Sequence, residues 1–325
     1  MKIHSQTLSV YVAKRVDIAA DIVHFRLAAQ AGALLPSASP GSHIDVHLPD
    51  GLIRQYSIFH IDHALEYYDI AVLLDPQSRG GSEYMHHELI QGAVLEISEP
   101  RNQFELSTLG KHHVLIAGGI GVTPILSMAE FLSANGQSFE VHYCARSQSR
   151  AAFFEHFSKC NYKNCVSIYL DTVADEPKID VASILGAQKE LLTTHLYVCG
   201  PSGFIDMVKA ESIVQGLPEK QLHFERFSGA AEASSAEPSF ELFLKRSGKR
   251  VQVATGQTAL EALIASGIDV PTSCGQGICG TCLVNVIEGE IDHRDHYLTE
   301  GEKKSNTCFL PCCSRAKSER LVLDL

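Results

Sequence analysis

Cys274-Gly275-Gln276-Gly277-Ile278-Cys279-Gly280-Thr281-Cys282 is the stretch that decides how this chain is read. Its cysteines follow C-x4-C-x2-C, and Cys312 lies 30 residues beyond Cys282. That is the plant-type spacing in which four thiolates hold a two-iron, two-sulfide cluster. Gly275, Gly277 and Gly280 let the loop wrap tightly and expose backbone N–H groups to the cluster sulfurs. Structural zinc wants a second C-x2-C knuckle, which is missing. A c-type haem needs His where Leu283 stands. Cys308, Cys312 and Cys313 compete for the fourth position, and neighbours on an extended segment point to opposite sides, so Cys312 and Cys313 cannot both face the iron.

Around this loop the pattern is short and strand-rich. Phe240 to Leu244 and Arg250 to Val253 read as a hairpin, Ala259 to Ser266 as a short helix, and Leu321 to Leu323 as a closing strand. Upstream, Ser228 to Pro238 is small and polar and ends in Pro, so it reads as a linker. The chain has 325 residues and a net charge of −11, of which residues 240–325 carry only −1. That balance argues against a general nucleic-acid binder. No apolar run reaches a membrane span, and Met1 to Gln6 opens no signal peptide. The expectation is a cytoplasmic protein, in which ten reduced cysteines invite a metal or redox explanation rather than disulfides.

Before the linker there are two textures. Residues 1–107 hold alternating runs such as Ser42 to Leu48 and Tyr68 to Leu74, which read as an antiparallel barrel or sandwich. From 108 the pattern is strand, turn, helix. His113 to Ala117 is a buried strand, Gly118-Gly119-Ile120-Gly121 a turn, Thr123 the expected N-cap and Pro124 the expected first helical residue, with an end at Asn135-Gly136. Phe139 to Cys144 and His195 to Cys199 are further strands, the latter followed by Gly200-Pro201 and a helix through Val214. Such alternation implies a parallel sheet with a ligand at its strand C-termini. Gly119-x-Gly121 and Cys199-Gly200-Pro201 would frame a dinucleotide there, although Pro124 replaces the last Gly of the usual fingerprint. In the barrel part, Arg54-Gln55-Tyr56-Ser57 and Arg79-Gly80-Gly81-Ser82 offer a phosphate fork, a ring-packing Tyr and backbone N–H groups.

Taken in order, these motifs resemble the phthalate dioxygenase reductase family, which includes vanillate O-demethylase reductases. The resemblance also rests on Gly118 to Pro124, His223-Phe224-Glu225-Arg226-Phe227, His293-Arg294-Asp295 and Ser314-Arg315-Ala316-Lys317, and it spans essentially the whole chain. It implies an FMN-binding antiparallel β-barrel over 1–107, an α/β parallel-sheet NAD domain over 108–228, a linker over 229–239 and a β-grasp plant-type ferredoxin domain over 240–325. By the same likeness Arg54, Gln55, Tyr56, Gly80, Gly81 and Ser82 hold FMN, with Ala71, Val72 and Leu73 along it. Ser57 would sit by flavin N5, with Thr123 and Phe227 against the ring. Gly119, Gly121, Thr123, Pro124, Cys199, Gly200 and Pro201 receive NADH, Ser57 and Cys199 flank the chemistry, and Cys312 joins Cys274, Cys279 and Cys282 as fourth iron ligand. A basic residue is common in the family about where Leu73 and Leu74 stand, so the charge near the ring differs here.

The implied chemistry is NADH oxidation. A nicotinamide gives two electrons together and a [2Fe–2S] cluster takes one, so a flavin must stand between them. The implied partner is a terminal Rieske-type oxygenase on a separate chain, served by a monomeric reductase. The sixteen His show no Rieske or mononuclear-iron spacing, so they read as surface or structural residues. The rival readings are a stand-alone diaphorase and a non-enzymatic iron–sulfur redox sensor. After the second α/β strand stands one basic residue, Arg146, and Asp171 follows the next strand, which favours NADH over NADPH.

Overall fold

The computed structural model describes residues 7–30, 33–62, 64–76, 78, 80–172, 178–227 and 238–325. Arg79 and linker residues 228–237 lie outside the described residues. The chain divides into two compact units, residues 1–226 and 227–325.

The first unit opens with β1 (Thr7–Ala19), β2 (Ile22–Ala29), β3 (Ser42–His47), β4 (Ile53–Ile61) and β5 (Tyr67–Leu73), then α1 (Gly81–His87), β6 (Val94–Ser98) and β7 (Arg101–Asn102). Six strands run β4-β5-β2-β1-β6-β3 and close through a β3–β4 pairing, with β7 beside β3. The barrel follows from period-2 burial. Ile44 and Val46, Val23, Phe25 and Leu27, and Tyr68, Ile70 and Val72 all point inward and are essentially unexposed. The other row of β3 is not a wetted face. His43 and Asp45 are buried too, because Gln55 Nε2 donates to Asp45 Oδ1 at 3.0 Å and Arg101 Nη2 at 2.5 Å.

The same unit continues with β8 (His112–Gly118), α2 (Val122–Ala134), β9 (Ser138–Ala145), α3 (Phe154–Lys159), β10 (Val166–Leu170), α4 (Val181–Gly186), β11 (Thr194–Gly200), α5 (Ser202–Val214) and β12 (Leu222–Arg226). The five strands are parallel in the order β10-β9-β8-β11-β12. Alternation of strand and helix has the expected result, and Asn135 and Gly136 (φ +62°) end α2 as expected. The start differs. The N-cap is Gly121, so Thr123 and Pro124 lie inside the first turn. Pro is accepted there because that turn has no intrahelical partner for its N–H anyway. The core under α2 is shared, with Ile22, Phe59, Ala71 and Phe104 of the barrel packing among Leu115, Ala117, Val141, Tyr143 and Cys199 of the sheet.

In the second unit β13 (Phe240–Leu244), β14 (Arg250–Val253), α6 (Ala259–Ala265), β15 (Val284–Glu288), β16 (Ile291–Asp292), α7 (Glu300–Ser305), β17 (Cys308–Phe309), β18 (Arg315–Ala316) and β19 (Arg320–Leu323) follow. The sheet order is β14-β13-β19-β15-β17, with β13 and β19 parallel, and β16 pairs with β18. Thr258 and Thr299 build full capping boxes with Glu261 and Glu302. Among the described residues no helix is long and apolar enough to cross a membrane.

Candidate functional site

On the barrel, Arg54 lies folded over the Gly80-Gly81 turn that starts α1. A Cβ on Gly81 would stand 2.6 Å from Arg54 Cγ and Nε, and Gly80 has φ +87°. Only glycine leaves room for the guanidinium stem above backbone N–H groups, so a fixed positive fork and a nest of donors share one place. Ser82 Oγ accepts from Asp75 N at 3.1 Å and donates to Ser78 Oγ at 3.0 Å, which fixes the loop before the turn. Ala71 and Val72 are buried and Leu73 half-buried. Tyr56 is half-buried on the inward-facing row, and enclosure raises its phenol well above the ordinary range. Gln55 is committed elsewhere, to Asp45 and His43.

Three residues, Ser57 of β4, Cys199 of β11 and Glu225 of β12, meet where barrel and sheet adjoin. Cys199 and Glu225 are register partners on adjacent parallel strands. The Ser57 hydroxyl faces the Glu225 carboxyl closely enough to favour its charged form, but the contact is not a well-formed hydrogen bond, and among the described residues Ser57 Oγ and Glu225 Oε2 have no other partner. Buried polar atoms left open in this way mark where the polar edge of a ligand belongs. Burial pushes Glu225 up to about 8, with the facing hydroxyl offsetting only part. Burial, with Glu225 beside it, also raises the Cys199 thiol far above its usual value, so it stays neutral.

The strand ends beside this point are built for close approach. A Cβ on Gly121 would fall 2.4 Å from the Cys199 carbonyl oxygen, and one on Gly200 would fall 3.0 Å from Gly118 Cα. Gly119 has φ +56°. Thr123 is buried and donates Oγ1–H to Ile120 O at 3.1 Å, while Pro201 caps α5. The first turn of α2 is tied to the barrel through Ser127, whose Oγ accepts from Gly41 N at 3.2 Å and donates to Pro124 O at 3.0 Å. The turn thus offers a cradle between the ends of β8 and β11 that fits a dinucleotide. Phe227 is exposed and opens the second unit.

In the second unit Cys274, Cys279, Cys282 and Cys312 are all buried. Their thiols form two contacts, Cys274 with Cys279 and Cys282 with Cys312. Two pairs suit two irons with two thiolates each, and among the described residues no three His, Cys, Asp or Glu converge on a single ion. Gln276 N donates to Cys274 Sγ at 3.3 Å, the kind of backbone contact that steadies thiolate charge. Gly277 lies under Cys313 Sγ (2.4 Å to its would-be Cβ) and Gly280 under the Tyr297 ring (2.3 Å). Cys313 also touches Cys312, but its own thiol lies 3.7 Å from Leu310 O; Cys308 sits on β17, half-buried. These residues fit a [2Fe–2S] group.

Glu225 stands in the His223-Phe224-Glu225-Arg226-Phe227 motif, which by itself assigns it no role. What selects it is its register opposite Cys199, a relation between strands that one sequence does not display.

Comparison with known proteins agrees with this division. Residues 242–317 match a 2Fe-2S iron-sulfur cluster binding domain and residues 115–210 an oxidoreductase NAD-binding domain. The chain is 48% identical over 308 residues to a vanillate O-demethylase oxidoreductase of Pseudomonas sp. (strain HR199 / DSM 7063), covering 95% of this chain and 96% of that one. The solved structure of phthalate dioxygenase reductase, described as a modular structure for electron transfer from pyridine nucleotides to [2Fe–2S], superposes with a TM-score of 0.79 at 36% identity, covering 98% of each chain. A type IV self-sufficient cytochrome P450 monooxygenase matches 98% of this chain with 41% of its own, at a TM-score of 0.81 and 37% identity.

Two outcomes follow from the site. Glu225 carries a raised pKa when folded, so its stabilising contribution is complete below the unfolded value of about 4.3 and is lost as pH climbs toward about 8. Glu225→Gln should therefore melt progressively higher relative to the parent from pH 5 to pH 8 by calorimetry; a constant difference would show that the carboxyl is not enclosed. Cys312→Ser should lose or cripple the visible and paramagnetic resonance signature of the cluster, whereas Cys308→Ser and Cys313→Ser should keep it. An intact signature in Cys312→Ser would exclude Cys312 as fourth ligand.

Proposed function

The chain belongs to the family of oxygenase reductase components that includes the vanillate O-demethylase oxidoreductases and phthalate dioxygenase reductase, and from that premise we propose that it passes electrons from NADH through FMN and a [2Fe–2S] cluster to a separate Rieske-type terminal oxygenase. The observation that carries the reading is the meeting of Ser57, from the barrel, with Cys199 and Glu225, from the end of the parallel sheet. A flavin on the barrel and a nicotinamide on the sheet would share that point. When bound, the flavin takes a hydride's two electrons together and gives them up singly.

The residues of the chain supply alignment rather than acid–base force. Arg54 and the Gly80-Gly81-Ser82 turn would hold the flavin phosphate, and Tyr56 and Leu73 would bound the ring beside the Ala71-Val72 segment of β5, whose side chains are packed in the two cores. Ser57, whose hydroxyl faces Glu225, would sit by the ring edge at N5. Gly119, Gly121, Thr123, Pro124, Gly200 and Pro201 take the pyrophosphate and ribose, leaving the nicotinamide over Cys199, whose neutral thiol packs without competing as a nucleophile. Cys274, Cys279, Cys282 and Cys312 hold the cluster. The domain division is 1–107, 108–228, 229–239 and 240–325, and Asp171 after β10, with Arg146 the one basic residue of Ala145-Arg146-Ser147-Gln148 after β9, favours NADH.

A test separates the two electron acceptors. Residues 1–230 should retain FMN and oxidise NADH with ferricyanide, which draws on flavin, and lose most cytochrome c reduction, which draws on the cluster. Adding residues 240–325 in trans at micromolar concentration should restore little, because a short tether provides an effective concentration of order millimolar. Full cytochrome c reduction by the shorter fragment would show that the cluster is not an obligatory relay.

A further inference from the structure

Two residues before Glu225 on the same face of β12 is His223. Its Nε2 is 2.9 Å from Nδ1 of His195 on β11, and the two rings stack 5.2 Å apart at 13°. His223 also stacks on Tyr197 at 4.5 Å and 10°. His113 of β8 stands edge-on to His195 and Tyr197, and Ser107 N donates to Tyr197 Oη at 2.7 Å. The face that bears Cys199 and Glu225 at its ligand end thus continues into a ladder of imidazoles at the other end of the same strands, a face on which a packed apolar row would be ordinary.

We propose that His223, with His195 behind it, conducts to solvent the proton that each turnover deposits at Glu225. The inference rests on the function proposed above. NADH oxidation by one-electron acceptors follows NADH → NAD⁺ + H⁺ + 2 e⁻. The electrons would leave by the cluster that Cys274, Cys279, Cys282 and Cys312 would hold, so one proton per turnover must leave by another way, from a Glu225 that is half-buried with its Oε2 closed to solvent. Ser57 and Glu225 offer polar groups at that point; Glu225, held as the acid at pH 7, first passes its O–H proton on, and the carboxylate so formed takes the proton released at the site and becomes the acid again. Same-face neighbours on a strand are about 6.6 Å apart, a gap one water spans. The O–H bond breaks as His223 gains an N–H, and its opposite N–H passes toward His195. His223 is half-buried, so the pair can return the proton to bulk water.

The ordering of proton affinities permits this. Glu225 is pushed up to about 8, whereas burial, with His195 beside it, holds His223 down at about 4. Burial and Lys220 lower His195, and burial with the other histidines brings His113 to about 4. The imidazoles are therefore neutral and receptive at pH 7.

The test uses the oxidised, cofactor-loaded full chain without NADH, so its failure is separable from failure of the electron-transfer reading. After a jump from pH 7 to pH 9.5, the infrared C=O band that is absent from Glu225→Gln reports deprotonation. His223→Phe keeps a ring stacked on Tyr197, and its relaxation should be at least about tenfold slower, with added imidazole restoring it. Relaxation at the parent rate would overturn the proposal and show that the proton leaves past Ser57. Should the Phe variant fail to fold, His223→Gln carries the same two outcomes.

Discussion

The enclosed meeting of a barrel hydroxyl, a sheet thiol and a sheet carboxyl is what the first unit is arranged to achieve. Ser57 Oγ and Glu225 Oε2 are buried and, apart from each other, have no partner among the described residues, a condition that costs free energy unless a ligand completes it. The surrounding structure sustains that cost. The core beneath α2 draws on both the barrel and the sheet, and Ser127 ties the helix to Gly41, so neither layer can shift without disturbing the other. Gly121 sets how close the turn can come to β11, since a side chain there would strike the Cys199 carbonyl.

The same economy governs the second unit. Tight positive-φ glycines bring the cysteine loop against Cys313 and Tyr297, and the four buried cysteines fall into two touching pairs. A single-ion site would gather three or more donors on one point, which no described group does. The pairing, with Gln276 N–H aimed at sulfur, is the arrangement a two-iron body asks of a protein. The family match to a 2Fe-2S binding domain over residues 242–317 falls on this unit.

Much of this was legible in the sequence because it is local. C-x4-C-x2-C is a spacing, and the strands His112–Gly118 and Thr194–Gly200 are apolar runs bounded by glycine. Other parts were not legible because they depend on register. Glu225 gains its meaning from Cys199 opposite it, and His223 from His195, relations that exist only once β11 and β12 lie side by side. The start of α2 was misplaced for a local reason: Thr123 and Pro124 are good first-turn residues in more than one position, and the Gly119–Gly121 turn fixed the earlier one. His43 and Asp45 alternate with the inward row of β3 and are nonetheless buried, Asp45 beneath Arg101, a residue distant in sequence.

The central claim is that one chain converts a two-electron donor into a one-electron source. Anaerobic titration of the purified protein with NADH, followed by visible absorption and electron paramagnetic resonance, tests it most directly. Flavin and cluster together should take up about three electrons per chain, two on the flavin and one on the iron pair, with the resonance of a reduced [2Fe–2S] centre growing in. Uptake that stops at two electrons, with no such resonance at any point, would contradict it.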